Sequence, residues 1–314
     1  MTRLMSLLAL IGVLLLSACG QSTGGSAAGG AETQTITHAQ GSTELKGSPQ
    51  RIAVLDFGAL DTIKALGFAD RVVGLPKQAL PGFLGEFRDE KYTDLGTLQE
   101  PNLEALNQAK PDLVVIGFRS AKKYPELTKF WPTIDVTYPQ ELDFVEGNAK
   151  AAGIIGQALG ATDAVNTRIE ALRQRADALK PAAAQAGRGL IVMTSAGKVT
   201  LQGPASRFGI IHSRLGVPQA VDGIENISHG QPVSFEQLAQ ANPDVLFVVD
   251  RDAAIGKEGQ NAMQVLDNEL VRGTNAWRNQ KVIQLDGGRW YIAMHGLANA
   301  EAQLAELEQG LRTS

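Results

Sequence analysis

The sequence predicts an α/β fold: two Rossmann-like lobes with parallel sheets, joined by a single long α-helix, with a ligand cleft between the lobes. A repeat is the first observation behind this prediction, because residues 103–119 (LEALNQAKPDLVVIGFR) match residues 235–251 (FEQLAQANPDVLFVVDR) at seven positions. Each copy is typical of a short helix, a Pro-Asp turn and a buried strand that ends on an arginine. One such unit cannot bury its apolar faces alone, so the repeat indicates two similarly built halves. The second observation is a long helical stretch between the copies.

The N-terminal lobe is predicted to span residues 35–142. Its first strand turns through Asp56-Phe57-Gly58 into a helix, and the first copy of the repeat supplies a further helix and strand. The predicted strands of this lobe cover residues 52–55, 72–75, the end of the first repeat and 134–138, and a helix covers residues 59–66.

A connecting long helix is predicted for residues 143–180. Ala151, Ile154 and Ile155 recur at helical spacing, and Pro181 is expected to end the helix. About 30 helical residues would span roughly 45 Å, which is enough to cross from one lobe to the other. A single rigid connector is expected to limit the motion of the lobes.

The C-terminal lobe is predicted to span residues 181–314. Phe208-Gly209 opens a helix here much as Phe57-Gly58 does in the first lobe. The predicted strands of this lobe cover residues 189–194, the end of the second repeat and 282–285, and its helices cover residues 208–215 and 292–311.

The repeat also indicates where a ligand binds. In a parallel α/β layer, each helix start and the end of the following strand lie at one edge of the sheet, and ligands bind at that edge. Arg119 and Arg251 end the two repeated strands, so we expect them to project into the space between the lobes, one from each side. A single arginine at such a place more often only ends a strand on a solvated rim. Its recurrence in both halves favours a ligand role.

The chain begins with a stretch typical of a secretory signal. Arg3 precedes an apolar run over residues 4–16, which is shorter than the roughly 20 apolar residues of a spanning helix. Leu16-Ser17-Ala18-Cys19 resembles the lipobox of bacterial lipoproteins, whose cysteine is lipidated. We therefore expect residues 1–18 to be a lipoprotein signal peptide and Cys19 to be the lipidation site. An ordinary cleaved signal with a chance cysteine is the alternative.

The composition is that of a tethered globular protein. Residues 19–34 are mostly Gly, Ser, Ala, Thr and Gln, which cannot form a core and are expected to act as a flexible tether near a membrane. Cys19 is the only cysteine, so a disulfide within one molecule is excluded. The chain has 29 basic and 33 acidic residues, 5% aromatics and no long basic run, which argues against nucleic acid as a partner.

The sequence lacks the common catalytic motifs. It contains no phosphate-binding loop, no HExxH, no GxSxG, no GxGxxG and no clustered cysteines. Two lobes whose repeated strands each end on an arginine, without a nucleophile or base, fit the binding of an anionic ligand better than its chemical transformation. We therefore expect a binding protein, with an envelope enzyme as a weaker alternative.

Five segments carry a resemblance to a known family. The segments are VLDFGALDTIKALG (54–67), GPASRFGIIH (203–212), SHGQPVSFEQL (228–238), VVDRDAAIG (248–256) and VLDNELVRGTNAW (265–277). Through them the chain resembles the iron-siderophore substrate-binding lipoproteins of ABC importers, and within these the branch that binds ferric catecholates of the petrobactin and bis-catechol type.

The resemblance implies an extracytoplasmic, helix-hinged receptor that delivers ferric catecholate siderophores to an ABC permease, either a heterodimer or a homodimer. It further implies a monomer that is lipid-anchored to the outer face of the cytoplasmic membrane, on its periplasmic side. No intrinsic cofactor is expected, since ferric iron arrives only within the siderophore complex.

The resemblance also assigns the site residues. The family's ligand arginines match Arg119, Arg207 and Arg251. A complex of iron(III) with two catecholates has a net charge of −1, and a complex with three catecholates has a net charge of −3. Guanidinium groups donate strong hydrogen bonds to the catecholate oxygens. His229 and Tyr291 match residues that complete the coordination of iron in four-coordinate siderophores. Two bidentate catechols leave two positions on six-coordinate iron(III), which an imidazole nitrogen and a phenolate oxygen can fill.

Glu104 and Glu236 occupy equivalent places in the two copies of the repeat, two residues after the N-cap. In the family, a glutamate at this place on each lobe resembles the pair that docks into the two permease subunits. Stabilisation of each helix by its dipole, about 0.3 to 1 kcal/mol, is the simpler explanation for either one alone.

A receptor for another iron chelate on the same fold, such as a hydroxamate siderophore or haem, or for a corrinoid, is the alternative function. GFRSAKKY (117–124) and RWYIAMHG (289–296) depart from the branch and leave the linker between the catechols undetermined. His38, His212 and His295 are interpreted as bystanders.

Overall fold

The computed structural model describes residues 33–140, 142–225, 227 and 229–312. From Thr33 onward the chain forms one compact unit. The predicted signal peptide (1–18) and Cys19 lie outside the described residues. So does most of the predicted tether (19–34), but Thr33 and Gln34 already belong to the first strand. Within the described ranges, no helix combines the length and the apolar character that crossing a membrane requires.

The strands of the described residues form a hairpin and two five-stranded sheets. The hairpin pairs β1 (Thr33–His38) with β2 (Gly41–Lys46). The first sheet contains β3 (Ile52–Val54), β4 (Val72–Leu75), β5 (Thr93–Asp94), β6 (Leu113–Ile116) and β7 (Thr133–Asp135). The second contains β8 (Gly189–Ser195), β9 (Lys198–Leu201), β10 (Gln231–Val233), β11 (Val245–Asp250) and β12 (Val282–Leu285).

The helices surround these sheets. In the first half they are α1 (Phe57–Ala65), α2 (Leu103–Ala109) and α3 (Tyr124–Leu127), followed by α4 (Phe144–Leu159) and α5 (Thr162–Gln185). In the second half they are α6 (Ile210–Ser213), α7 (Phe235–Ala241), α8 (Arg251–Ala254), α9 (Ala262–Leu266), α10 (Glu269–Arg272), α11 (Asn275–Arg278) and α12 (Leu297–Arg312). Short 3₁₀ turns cover Ala69–Arg71, Gly82–Arg88 and Ala121–Lys123.

The strand order confirms the predicted α/β architecture with two sheets. The first sheet runs β5-β4-β3-β6-β7 with parallel pairs throughout. The second runs β10-β9-β8-β11-β12, in which β8, β11 and β12 are parallel and β9 and β10 are antiparallel. The repeated strands, β6 and β11, pair with β3 and β8 and so occupy the same place in each sheet.

The two copies of the repeat fold alike. Asn102 caps α2 by accepting a hydrogen bond from the Ala105 amide, and Ser234 caps α7 in a capping box. Each helix ends at a residue with positive φ, which is Lys110 (47°) in the first copy and Asn242 (40°) in the second. The predicted sequence of helix, turn and strand is therefore confirmed in both copies.

The repeated aspartate fixes the start of a neighbouring strand. The Asp112 carboxylate accepts hydrogen bonds from the amides of Gln50 and Arg51, directly before β3. In the second half, Asp244 accepts one from the amide of Arg188, directly before β8. This bond is the main reason that the pKa of Asp244 lies below its ordinary value. The equivalent aspartate of each copy is thus hydrogen-bonded to the start of the neighbouring strand.

The single connecting helix predicted for residues 143–180 is two helices in the structure. Asp143 caps α4 at the predicted start, but α4 stops at Gly160, whose φ of 69° favours glycine. The 24-residue α5 follows and supplies the long helix between the sheets, at roughly 36 Å. Pro181 does not end it, since α5 continues to Gln185. A missing amide so close to the end of a helix removes one hydrogen bond and leaves the last turn in place.

The closing helix begins five residues later than the predicted range 292–311, because the preceding residues form a π-helical segment. Its first turn meets the first half of the chain, where the Asn299 amide donates to Asp61 of α1 at 2.9 Å. Its last turn meets the second sheet, where a Cβ on Gly310 would lie 2.7 Å from Ile283. The helix α12 therefore packs against both halves.

Candidate ligand-binding site

Tyr291 lies at the centre of three arginines, which we call the arginine cluster (Arg119, Arg207 and Arg251). The guanidinium carbons of these arginines lie 5.7, 5.1 and 5.5 Å from the centroid of the Tyr291 ring, in the order given. The tyrosine is 7% exposed. The structure thus brings together the three arginines predicted to bind the ligand and one of the two predicted iron ligands.

Arg119 reaches the cluster from the turn after β6, in the first half of the chain. Its terminal nitrogens donate to the carbonyl oxygens of Tyr291 and Ile292 at 2.7 and 2.8 Å. Desolvation lowers the pKa of Arg119, although the charge of Asp56 acts in the opposite direction. Arg119 therefore ties the first sheet to the segment that carries Tyr291.

Arg251 opens α8 directly after β11, at the place that the repeat predicts. Its Nε donates to Oη of Tyr291 at 2.8 Å, and its Nη1 donates to Oγ of Ser195 at 3.1 Å. Ser195 donates in turn to Asp252 at 3.1 Å, and that carboxylate lies 3.7 Å from Arg251. This network fixes the direction in which Arg251 points.

Arg207 differs from the other two arginines because, among the described residues, its guanidinium neither donates to a backbone carbonyl, as that of Arg119 does, nor lies near a carboxylate, as that of Arg251 does. Its Nη1 lies 3.2 Å from Sδ of Met294, and a thioether is a weak acceptor. Desolvation lowers the pKa of Arg207, and the positive charge of Arg119 lowers it further. Arg207 is thus a desolvated cation with donors available to an anion.

A cavity of 440 Å³ opens beside Arg207. The aromatic rings of Phe118, Tyr138 and Phe144 contribute to its wall, together with Met294. Desolvation and the charge of Asp56 raise the pKa of Tyr138, so that its hydroxyl stays protonated. An aromatic wall with a cation at one end suits a ligand that is both aromatic and anionic.

His229 is not part of the arginine cluster. It lies in an exposed turn before β10, where its carbonyl accepts a hydrogen bond from Gln202 at 3.2 Å. Within the described part of the chain, no hydrogen bond or ring contact joins His229 to Tyr291. The joint role of these two residues as iron ligands stays a prediction.

A buried pair beneath Arg119 was not predicted as part of the site. Nε2 of His295 lies 2.8 Å from Oδ1 of Asp56, near enough for an ion pair although the ring nitrogen is not directed at the oxygen. Burial alone would raise the pKa of Asp56, but His295, the Ala59 amide and Arg119 together hold it below its ordinary value. His295 is fully buried and packs against α1, so it has a structural role in the first half of the chain. The glycine at position 58 is the feature of the sequence that could have indicated this close packing, since a Cβ there would lie 2.6 Å from the His295 ring.

Glu104 and Glu236 are exposed in the first turns of α2 and α7. Hydrogen bonds from its own backbone amide and from Ser234 lower the pKa of Glu236. In the described residues neither glutamate forms an ion pair with a basic side chain. Both carboxylates are thus available to a partner.

Residues 52–287 match the protein-family model described as periplasmic binding protein. The chain belongs to this family. This periplasmic binding protein is 37% identical over 309 residues to the petrobactin-binding protein YclQ of Bacillus subtilis, and the match covers 97% of each chain. The crystal structure of YclQ superposes with a TM-score of 0.85, covering 89% of this chain and 99% of YclQ.

Two further solved structures resemble this periplasmic binding protein. The periplasmic catecholate-siderophore binding protein VctP of Vibrio cholerae is 34% identical, with a TM-score of 0.82 over 88% of this chain and 100% of VctP. The siderophore-binding protein BauB, solved with a complex of two acinetobactin molecules and ferric iron, is 30% identical, with a TM-score of 0.80 over 90% of this chain and 100% of BauB. The sequence-based recognition of the family is therefore confirmed.

Proposed function

We propose that this chain is an extracytoplasmic receptor that captures ferric catecholate siderophores and delivers them to an ABC-type importer. The single observation that carries the ligand class is the arginine cluster. It gathers three guanidinium groups around one point, and Arg207 has no carboxylate partner among the described residues. The names of the relatives support the same class, since YclQ binds petrobactin and VctP binds catecholate siderophores.

The chemistry of a ferric catecholate fits this arrangement. The deprotonated catechol oxygens around iron(III) leave the complex with a net negative charge, spread over a ring of acceptors. A guanidinium group donates to two such oxygens at once and keeps its charge at neutral pH. The aromatic rings of the ligand pack against the cavity wall beside Arg207.

His229 and Tyr291 are proposed as iron ligands for siderophores that supply only four donor atoms. Iron(III) then has two remaining positions, which an imidazole and a phenolate fill. For this to occur, Oη of Tyr291 has to leave Arg251, and the turn that carries His229 has to approach it. The exposure of that turn is the feature that permits the movement.

The cellular setting is proposed from the sequence. Cys19 is proposed as the lipidated residue that anchors the receptor at the outer face of the cytoplasmic membrane, and Glu104 and Glu236 as the carboxylates that dock on the permease. The receptor is proposed to act as a monomer. Iron is proposed to be part of its cargo rather than a resident cofactor.

The test is a titration of the purified protein, without its predicted signal peptide and tether, with a panel of ligands. Binding is measured by the quenching of tryptophan fluorescence. Trp290 is buried next to Tyr291 and donates to Glu306 at 2.8 Å, so it reports on the site. Ferric bis-catecholates are expected to bind much more tightly than iron-free catechols, ferric hydroxamates or haem. Equal affinity for a ferric hydroxamate would show that the site is not selective for catecholates.

A further inference from the structure

Phe130 is the most exposed large apolar side chain among the described residues, at 65%. It lies in the turn between α3 and β7, next to Trp131, and the centroids of the two rings are 5.4 Å apart. The amides of both residues donate to the carbonyl of Leu127 at 3.0 Å. The turn thus presents an aromatic side chain to solvent in a fixed conformation.

Basic side chains surround this aromatic pair. Lys129 precedes Phe130 and is exposed. Lys46 is also exposed, and it lines the same 280 Å³ surface cavity as Pro132, the residue that follows the pair. A cation therefore lies on either side of the exposed ring.

Arg51 and Lys110 add two exposed positive charges at the same place. Asp112 lines the cavity together with Lys46, and its carboxylate accepts the Arg51 amide at 2.8 Å. The Arg51 side chain donates to the Lys110 carbonyl at 3.0 Å. The four basic side chains outnumber the two carboxylates that line the cavity, those of Glu44 and Asp112. In the described part of the chain, none of the four forms an ion pair.

The predicted tether joins the folded unit beside this surface. Thr33, where the described residues begin, pairs with Lys46 across the β1–β2 hairpin. The hairpin lies against β7, where the Thr43 hydroxyl donates to the Thr133 carbonyl at 2.6 Å. As the flexible chain that its composition predicts, the tether from Cys19 onward would span roughly 20 Å. The anchor and this surface can therefore reach the same membrane.

The surface lies at the edge of the first sheet that is opposite to the arginine cluster. The strands β3, β6 and β7 begin at this edge, since Ile52 pairs with Leu113 and Val114 pairs with Thr133 in parallel register. At the other end of β6 the chain leads to Arg119. A membrane at the first edge would thus leave the arginine cluster on the far side of the sheet.

The four basic residues and the aromatic pair form one surface, which we call the basal patch: Lys46, Arg51, Lys110, Lys129, Phe130 and Trp131. We propose that the basal patch lies on the anionic surface of the membrane that carries the anchor. This inference rests on the lipid anchor of the proposed function. The basic side chains attract phospholipid phosphates, and the aromatic rings enter the headgroup region.

The tether makes a weak contact of this kind sufficient. A short flexible linker gives the patch an effective concentration of about millimolar at the membrane surface. The arginine cluster then faces away from the membrane, towards arriving cargo. The basal patch thereby sets the orientation in which the anchored receptor waits for its ligand.

The single cysteine allows a test that keeps the tether. Residues 19–314 are coupled through Cys19 to a maleimide lipid in vesicles of phosphatidylglycerol and brominated phosphatidylcholine. Bromine quenches the fluorescence of tryptophans at the membrane surface, so Trp131 is expected to be quenched. Phe130→Ser is expected to reduce the quenching about threefold, because an apolar ring no longer enters the headgroups. Vesicles without phosphatidylglycerol are expected to reduce it about twofold, because the basic residues lose their anionic partner.

Two further variants control the measurement. Leu270→Ser is the matched control, because Leu270 is also exposed, at 41%, but lies in α10 of the second half. It is expected to leave the quenching unchanged. Trp131→Phe is expected to remove most of the quenching, because Trp290 is buried and Trp277 packs on the core of the second half.

The outcomes separate this inference from the proposed ligand class. Wild-type quenching in Phe130→Ser or in Trp131→Phe would overturn the basal patch, as would the absence of quenching in the wild type. Equal quenching with and without phosphatidylglycerol would contradict an anionic membrane as the partner. Siderophore affinity, measured on the same proteins, is expected to be unchanged by Phe130→Ser. A wild type that binds vesicles through the patch but binds no ferric catecholate would contradict only the proposed ligand.

Discussion

Arg207 illustrates how one residue can be favourable for binding and unfavourable for folding. It is a partly buried cation that, among the described residues, meets Met294 and the Tyr291 ring but no carboxylate. Removing the charge from such a place relieves a desolvation cost in the free protein. In the proposed complex the same charge gains a hydrogen bond to an anion.

Arg207→Gln is therefore expected to weaken binding of a ferric bis-catecholate by about ten- to a hundredfold, which corresponds to about 1.5–3 kcal/mol for a charge-assisted hydrogen bond. Its thermal midpoint is expected to be equal to or higher than that of the wild type. Titration calorimetry and thermal unfolding measure the two effects. Arg272→Gln is the control, because Arg272 is exposed and paired with Asp267. An unchanged affinity of Arg207→Gln would place this arginine outside the site.

The sequence could predict the arginines but not what supports them. Arg119 and Arg251 follow from a repeat that is visible in the chain, and Arg207 and Tyr291 follow from short motifs. The pairing of Asp56 with His295 joins residues far apart in the sequence, and it depends on how α1 packs beneath the turn after β6. No local pattern encodes that pairing. Only Gly58 hinted that something large lies against α1.

At the scale of elements, strongly patterned segments were predicted best. The strands β4 and β12 have the predicted bounds, and β6, β8 and β11 lie where apolar runs indicated. The hairpin β1–β2 and the strands β5, β9 and β10 were not predicted. They are short or lie at sheet edges, where half of the side chains face solvent and the alternation of apolar residues is weak. Tertiary pairing rather than local sequence decides their conformation.

The break between α4 and α5 was missed because helical periodicity continues on both sides of Gly160. Glycine lowers helix propensity wherever it stands, and α4 also contains Gly147, Gly153 and Gly156. Only the backbone angle of Gly160 shows which of these glycines ends the helix. The sequence thus contains four glycines at which the helix could end, and the sequence alone does not distinguish among them.

Two glycine substitutions are expected to act in opposite directions on stability. Gly160→Ala should lower the free energy of unfolding by about 1–2 kcal/mol, because a side chain disfavours the left-handed backbone conformation. Gly153→Ala should raise it by about 0.5–1 kcal/mol, because Gly153 lies inside α4. A Cβ at either position meets no atom within 4 Å, so packing does not confound the comparison. Urea unfolding measures both changes, and the same sign for both would contradict the assigned helix end.

At the scale of the whole molecule, the repeat places one exposed glutamate on each half. Local helix stability does not require the same acidic residue at the same place twice. A permease with two equivalent subunits does, because each subunit would contact one half of the receptor. This symmetry is why we propose Glu104 and Glu236 for docking on the permease rather than for helix capping alone.

Glu104→Lys combined with Glu236→Lys is expected to leave siderophore affinity unchanged and to abolish stimulation of the permease ATPase. Reversing both charges replaces the proposed attraction to the permease with repulsion. Glu90→Lys combined with Glu258→Lys is the matched control, since it reverses one exposed glutamate in each half at places that the repeat does not share. The measurement uses permease reconstituted in membranes, with loaded receptor added. Full stimulation by the first double variant would limit the pair to a local role.

The position of α12 has a mechanical consequence. It lies beside α5, with ion pairs from Arg168 to Glu301 at 2.8 Å and from Arg175 to Glu308 at 2.9 Å. α12 also packs on α1 and on β12. The two sheets are therefore connected by two helices, α5 and α12, which ion pairs join to each other. A single connecting helix would allow a hinge motion between the two sheets. Two helices joined by ion pairs resist bending, so mainly a small twist between the sheets is left. For the proposed receptor function, we therefore expect cargo to be released through local shifts of side chains and short turns rather than through a wide separation of the two sheets.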